Sequence, residues 1–340
     1  MFDIIIIGGG PAGAILAKEA AKNFSVAMIY EDSKKPCGGL LSDDAQRFFA
    51  ERTMALPKEL LVDPQIFAVD TIDVGQNLWR RYQRSYINID RKKFDAWLRS
   101  FVPENVVKIE NHASKIVRTD DGFAVSYNEN GEEKTVYGKY LVGADGANSL
   151  VRRTFFPNKK IRHYVSVQQS FENAENAPFY ACIFDKETTD CCAWIVTKEN
   201  ETIFGGAFVP KDCRENFEKL KTRLKSQGII LGKEKETEGC IVLRPKSSRE
   251  IILGDGKVFL IGEAAGFISP SSLEGISKAM YSAEALADAL NTEKPLKEYK
   301  KNTRKLRFGI FLKTVKCPFM YAPFLRKLVM KSGLTAIDIK

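Results

Sequence analysis

The apolar run FDIIII does not alternate with polar residues, which is the pattern of a strand buried on both faces. It breaks on Gly8-Gly9-Gly10. Small and apolar residues at helical spacing follow from Ala12 to about Lys22, and a second apolar run, Ser25 to Tyr30, ends on Glu31. This order predicts a strand–helix–strand unit. KKPCGGLLS (residues 34–42) then reads as a loop, with Ser42 the expected N-cap of a helix over DDAQRFFAERT. A further helix is predicted from Asp90 to near Pro103. Beyond it, KIENHASKIVRTDDGFAVSYNENGEEKTVYGKYLVGADG reads as several strands, with TDDG and NENG as hairpin turns.

From about Ile161 to Arg249 the pattern is strand-rich: VSVQQSF, FYACIF, CAWIVT and TIFGGAF, interrupted by one helix over RENFEKLKTRLKSQG. These strands predict a separate antiparallel layer. Cys191 and Cys192, placed on one strand, are expected to point to opposite faces. KVFLIGEAAGFISPSSLEGISKAMYSAEALADAL returns to strand, loop and helix. The chain from Pro295 is helical, with aromatics at Phe308, Phe311, Phe319, Tyr321 and Phe324.

Composition narrows the chemistry. No run of 18 apolar residues is present, so no membrane-spanning helix is expected. MFDIIIIGGG has neither a basic leader nor a small-residue cleavage site and reads as a first strand. The seven cysteines form no CxxC pair and there are only two histidines, His112 and His163. A disulfide framework and a metal site are not expected, and a reducing, cytoplasmic setting is favoured. Of the net charge of +9, residues 294–340 carry +11, with 13 Lys/Arg against 2 Asp/Glu. The basic character therefore belongs to the end of the chain. It leaves two readings open: a solvated basic helix pair closing the strand layer, or peripheral contact with an anionic membrane at its inner face. Nucleic acid is not the expected partner.

Gly8-x-Gly10-x-x-Gly13 follows a strand and opens a helix. Gly8 permits the tight turn, Gly10 lets a pyrophosphate approach the backbone, and Gly13 lets the helix pack on the strand. Pro11 and Ala12 begin that helix, whose free N–H groups attract phosphate. Glu31, 18 residues beyond Gly13, stands where an acid accepts ribose hydroxyls and repels a 2′-phosphate. The site suits NAD or FAD rather than NADP.

Two later segments, GADGANS with Asp145 and GEAAGFISP…LEGI with Gly262, Glu263, Gly275 and Ile276, resemble those of the FAD-dependent aromatic hydroxylase and geranylgeranyl reductase superfamily. The likeness runs from Met1 to about residue 290. It implies an α/β fold: a Rossmann-like FAD-binding domain (1–65, 88–160 and 250–292), an antiparallel-sheet substrate domain (66–87 and 161–249) and a basic C-terminal helical segment (293–340). It implies that Asp145 closes the dinucleotide domain, that Glu263 meets the ribitol, and that the helix opening at Gly275-Ile276 faces the flavin. Arg91 matches an arginine that reaches the FAD phosphates, and Ala113 a backbone contact to adenine.

The AAGF and EGI forms resemble the reductase branch, since hydroxylases usually carry a histidine where Gly266 stands. Three departures are visible. Glu263 replaces the commoner Asp. Leu273 replaces a Gly and is expected to narrow the flavin-side pocket. DCCAWIVTK keeps Trp194 and Lys198 of a substrate-layer motif but has Cys192 for its Tyr. Trp194 reads equally as the lining of an apolar tunnel or as ordinary core. KKPCGGLLS resembles the reductases' R-C-G-E-G loop beside the flavin. Cys37 and Gly38 match, and Gly39 replaces the Glu. Two roles remain for Cys37: close backbone approach, with Gly38 and Gly39, or a thiol that tunes the flavin or donates a proton.

The resemblance implies a FAD-dependent oxidoreductase reducing a C=C bond of an apolar or lipid-like substrate by hydride from flavin N5. Alternatives are a monooxygenase using NAD(P)H and a non-catalytic FAD-binding regulatory protein. No second GxGxxG unit is present, so NAD(P)H, if it is the donor, must bind transiently; ferredoxin or free reduced flavin could replace it.

Overall fold

The computed structural model describes residues 1–32, 35–172 and 174–337. Lys34, the first residue of KKPCGGLLS, and Lys340, the last of the basic segment, lie outside them. Strand Phe2–Ile7 lies between Val26–Tyr30 and Glu132–Gly143, parallel to both. Val107–Glu110 and Val258–Leu260 extend the sheet, again in parallel. Ile4, Ile5 and Ile6 are wholly buried, which is why this strand does not alternate.

Helix Pro11–Ala20 packs on one side of the first strand, and helix Ile276–Leu290 packs against it. NENG forms the two-residue turn expected of it: Asn130 and Gly131 have φ of 55° and 88°, and the turn joins Phe123–Glu129 to Glu132–Gly143.

The second sheet runs, in order, Lys233–Leu243, His163–Glu172, Glu201–Phe208, Ala193–Lys198, Tyr180–Phe184, Ile66–Asp73 and Leu78–Asn88. Neighbours are antiparallel except Tyr180–Phe184 and Ile66–Asp73, which run parallel. Helix Cys213–Lys225 buries Phe217, Leu220 and Leu224 on this layer, with Phe217 stacked on Phe204 at 5.0 Å between ring centres. Cys191 and Cys192 correct a sequence expectation. They lie before the strand that opens at Ala193, not on it, so strand alternation does not apply.

The two layers are tied together at the KKPCGGLLS loop. Leu40–Leu41 pairs antiparallel with Ile87–Asn88, and the Ile89 N–H donates to the Gly39 carbonyl at 2.8 Å. The C-terminal segment forms helices Pro295–Asn302, Arg304–Tyr321 and Pro323–Ser332. A short strand, Ala336–Ile337, which the sequence did not reveal, then pairs with Arg81 and Tyr82.

Candidate active site: a cleft between the two sheets

One cleft of about 1370 Å³ runs from the glycine turn into the second sheet. That exceeds the usual range for a single small ligand, roughly 300–1,000 Å³. The glycine turn forms one end. Gly8 has φ 110°, and a Cβ there would lie 2.4 Å from the Ala144 carbonyl oxygen. A Cβ on Gly10 would meet nothing within 4 Å, since it faces the open cleft. Gly10 is also the N-cap of helix Pro11–Ala20, and no side chain caps this end. Gly275 is the equally uncapped N-cap of helix Ile276–Leu290 and opens on the same cleft. Two positive helix ends thus face one space, and each can stabilise negative charge there.

Pro11, Ala12, Glu31, Ala113 and Asp145 line this half of the cleft. Glu31 is mostly exposed, and His112 Nδ1 lies 2.8 Å from one of its oxygens. Asp145 Oδ2 accepts from the Leu150 and Val151 N–H groups, while its buried Oδ1 has no partner among the described residues. Burial raises the Asp145 carboxyl, although those N–H bonds oppose the shift.

Gly13 and Gly262 do not line the cleft. A Cβ on Gly13 would lie 1.9 Å from the Gly8 carbonyl oxygen, and one on Gly262 would lie 2.9 Å from the Ala12 Cβ. Both are packing glycines behind the wall. Sequence reasoning missed two arginines that brace the wall. Arg99 donates to the Gly9 carbonyl and pairs with Asp32. Arg152 donates to the Ala264 and Ala147 carbonyls, linking two cofactor-side loops. Arg99 stands in no motif; Arg152 follows the GADGANS segment, but its carbonyl partners leave no trace in the sequence.

Cys37, Gly38, Gly39 and Arg91 meet midway along the cleft. Arg91 donates through Nε to Asp95 at 2.9 Å and through Nη1 to Cys37 Sγ at 3.4 Å. The Gly39 N–H also donates to Sγ, and Gly39 has φ 60°, which glycine adopts freely. Burial alone would raise the Cys37 thiol. The Arg91 charge and these donors outweigh it and hold the thiol below its usual range. Glu263 is further engaged than a ribitol contact alone requires. Oε1 accepts from the Leu243 N–H at 2.9 Å, and Oε2 pairs with Lys35.

Behind Gly39, Lys198 Nζ donates to Asn88 Oδ1 at 2.6 Å and to the Ile89 carbonyl at 2.7 Å. Burial pulls its pKa down to about 8, against the opposing charges of Cys37 and Asp90. Between about 8 and the ordinary lysine value of 10.5, the unfolded chain holds more protons than the folded one. Lys198 therefore makes stability rise with pH across that window. In paired denaturant titrations, Lys198→Met should remove that rise; an unchanged slope would mean that Lys198 titrates normally.

The far half of the cleft has Tyr180, Phe184, Trp194, Val196, Ile268 and Met320 in its wall, together with the charged Arg84, Glu274, Lys313 and Lys316. Trp194 packs over Gly205, where a Cβ would lie 2.6 Å from the indole; the indole N–H is buried without a partner among the described residues. Leu273 also lines the cleft and has φ 58°, a conformation suited to the glycine it replaces. Tyr86, which no motif marked, donates to Glu274 at 3.0 Å and packs edge-on to Tyr180. Burial and the Glu274 charge raise the Tyr86 hydroxyl, so it keeps its proton.

Residues 107–304 match the model of the FAD binding domain, and residues 2–178 match the pyridine nucleotide-disulphide oxidoreductase model. Protein CbrA of Escherichia coli O9:H4 (strain HS) is 46% identical, covering 99% of this chain and 94% of that protein. The chain belongs to the CbrA family of FAD-dependent oxidoreductases. The CbrA protein of Shigella sonnei is 45% identical, over 99% of this chain and 98% of its own.

Solved structures share the CbrA-family fold at lower identity. A geranylgeranyl bacteriochlorophyll reductase-like protein from Thermoplasma acidophilum superposes with a TM-score of 0.80 at 18% identity, covering 96% of this chain and 90% of that one. A probable FAD-dependent monooxygenase, pqsL, from Pseudomonas aeruginosa gives 0.68 at 18% identity, over 97% and 99%. The cleft fits FAD: an open glycine crest, two uncapped helix ends and a buried orphan carboxylate oxygen occur along one groove.

Proposed function

We propose that this chain reduces a C=C bond of an apolar or lipid-like substrate. One observation carries this reading: one groove runs from the glycine turn to a wall that presents Tyr180, Phe184, Trp194, Ile268 and Met320. Such a wall favours a substrate that gains by leaving water. FAD, once bound and reduced, would supply the hydride. Gly8–Ala12 and the helix end behind them would hold its phosphates. Gly38, Gly39 and Gly275 would offer backbone to its ring system.

The proton for the second carbon comes from Tyr86. Its hydroxyl keeps its proton, faces the cleft and is held in place by its bond to Glu274; water entering the cleft returns the proton afterwards. Cys37 Sγ accepts from Arg91 and Gly39, so its role is to hold the loop. The probe is a long-chain isoprenoid alkene with FAD-loaded protein and dithionite, without oxygen. The expected product carries two added hydrogens. Tyr86→Phe should retain FAD and slow turnover about 100-fold, in line with the loss of a positioned acid. Cys37→Ala should retain turnover within about tenfold. Full turnover in Tyr86→Phe would remove the tyrosine from the reaction.

The FAD-dependent monooxygenase among the fold relatives supports a second reading, hydroxylation with NAD(P)H and oxygen. Oxygen uptake matched to a hydroxylated product would favour it over reduction.

A further inference from the structure

We propose that the outward face of helix Arg304–Tyr321 docks the chain on an anionic lipid bilayer. A helix on the surface of a soluble domain turns its apolar stripe inward. Here the stripe faces out. Phe308, Phe311, Leu312, Val315 and Phe319 recur at spacings of three and four residues, and each is between 47% and 59% exposed. On the next helix Phe324 and Leu328, four residues apart, are also exposed.

The segment is not a loose tail. Tyr321 donates to the Ser271 carbonyl at 2.7 Å, beside the cleft. Arg326, itself buried, donates to Asp73 at 2.6 Å. These bonds and the buried Ile310 and Met330 fix the helices to the body, while the outward apolar side chains stay exposed. Contiguous exposed apolar surface of this kind marks an interaction site.

Charge selects the occupant. Helix Arg304–Tyr321 has five lysines and arginines and no acid, and Arg304, Lys305 and Lys316 are exposed near the stripe. Aromatic and aliphatic side chains among cations suit an interface whose surface is anionic and whose interior is hydrocarbon. No helix among the described residues is long and apolar enough to cross a membrane, so the contact is one of lying on the surface. The same helix supplies Lys313, Lys316 and Met320 to the cleft wall. Docked this way, the cleft lies beside the lipid. The inference deepens the proposed function, whose apolar substrate the bilayer would deliver, but vesicle binding is read without turnover, so either can fail alone.

The test is flotation of the FAD-loaded full chain with vesicles of phosphatidylcholine alone and of equal parts phosphatidylcholine and phosphatidylglycerol. Binding is expected only to the mixed vesicles and should weaken with salt. Phe308→Glu with Phe319→Glu should reduce the floating fraction at least about tenfold while FAD absorbance is kept. Arg304→Glu with Lys305→Glu should weaken binding to the mixed vesicles by a similar factor. Three results would overturn the proposal: no flotation of the wild type, equal flotation with neutral vesicles, or full flotation of the double-Phe variant. A wild-type dimer that the double-Phe variant splits would also overturn it, by showing that a second copy covers the stripe.

Discussion

Gly13→Ala is expected to yield a protein that holds no FAD and is largely insoluble. The added Cβ would lie 1.9 Å from the Gly8 carbonyl oxygen and 2.9 Å from its carbon. Both are backbone atoms, so no side-chain rotation relieves the clash. The helix and the first strand must separate, and with them the turn that opens on the cleft. Gly10→Ala is the informative contrast. Its Cβ would meet nothing within 4 Å, so the chain should fold normally. The methyl group would instead stand in the space a pyrophosphate needs, and FAD affinity should fall at least about tenfold. The measurement is flavin absorbance per polypeptide, with circular dichroism as the check on folding. A soluble Gly13→Ala protein with the wild-type flavin content would refute this account of the turn.

Asp73→Ala should cost about 3–5 kcal/mol of stability, because it leaves a charge buried without its partner. Asp73 and Arg326 are paired at 2.6 Å with side-chain exposures of only 1% and 5%. Asp73 Oδ1 also accepts from the Gln76 N–H, so a cap is lost as well. The pair joins the Ile66–Asp73 strand to the last helix, so its loss should also loosen the segment that carries Tyr321 and its bond to Ser271. Denaturant titration followed by tryptophan fluorescence gives the change in midpoint. The double change Asp73→Asn with Arg326→Met, which removes both charges, should recover a large part of the loss. If Asp73→Ala unfolds at the wild-type midpoint, the pair contributes nothing to holding the C-terminal helices.

How legible this was in the sequence depended on distance along the chain. Gly8, Gly10, Gly13 and Glu31 lie within one strand–helix–strand unit, where each role follows from local geometry. The EGI segment was legible for the same reason, since the helix it opens begins at once. The Tyr86–Glu274 bond was not, because its partners are 188 residues apart. Nor were Arg99 and Arg152, whose acceptors are backbone carbonyls that carry no sequence signature. Cys191 and Cys192 show a different failure. Period-two reasoning holds only inside a strand, and this one begins at Ala193. Leu273 was recognised as a departure, but its left-handed φ of 58° could be seen only in the fold.

The short pairing of Leu40–Leu41 with Ile87–Asn88 limits how the molecule can deform. The stretch bearing Cys37 and Gly39 follows strand Leu78–Asn88 as a trailer follows a truck, coupled there and through the Ile89 N–H. A swing of the second sheet that widens the cleft would draw this stretch away from the first sheet's glycine turn. The width of the cleft and the setting of the Cys37–Gly39 stretch are then one mechanical variable, opposed by the bonds that tie the loop back to Arg91 and Glu263.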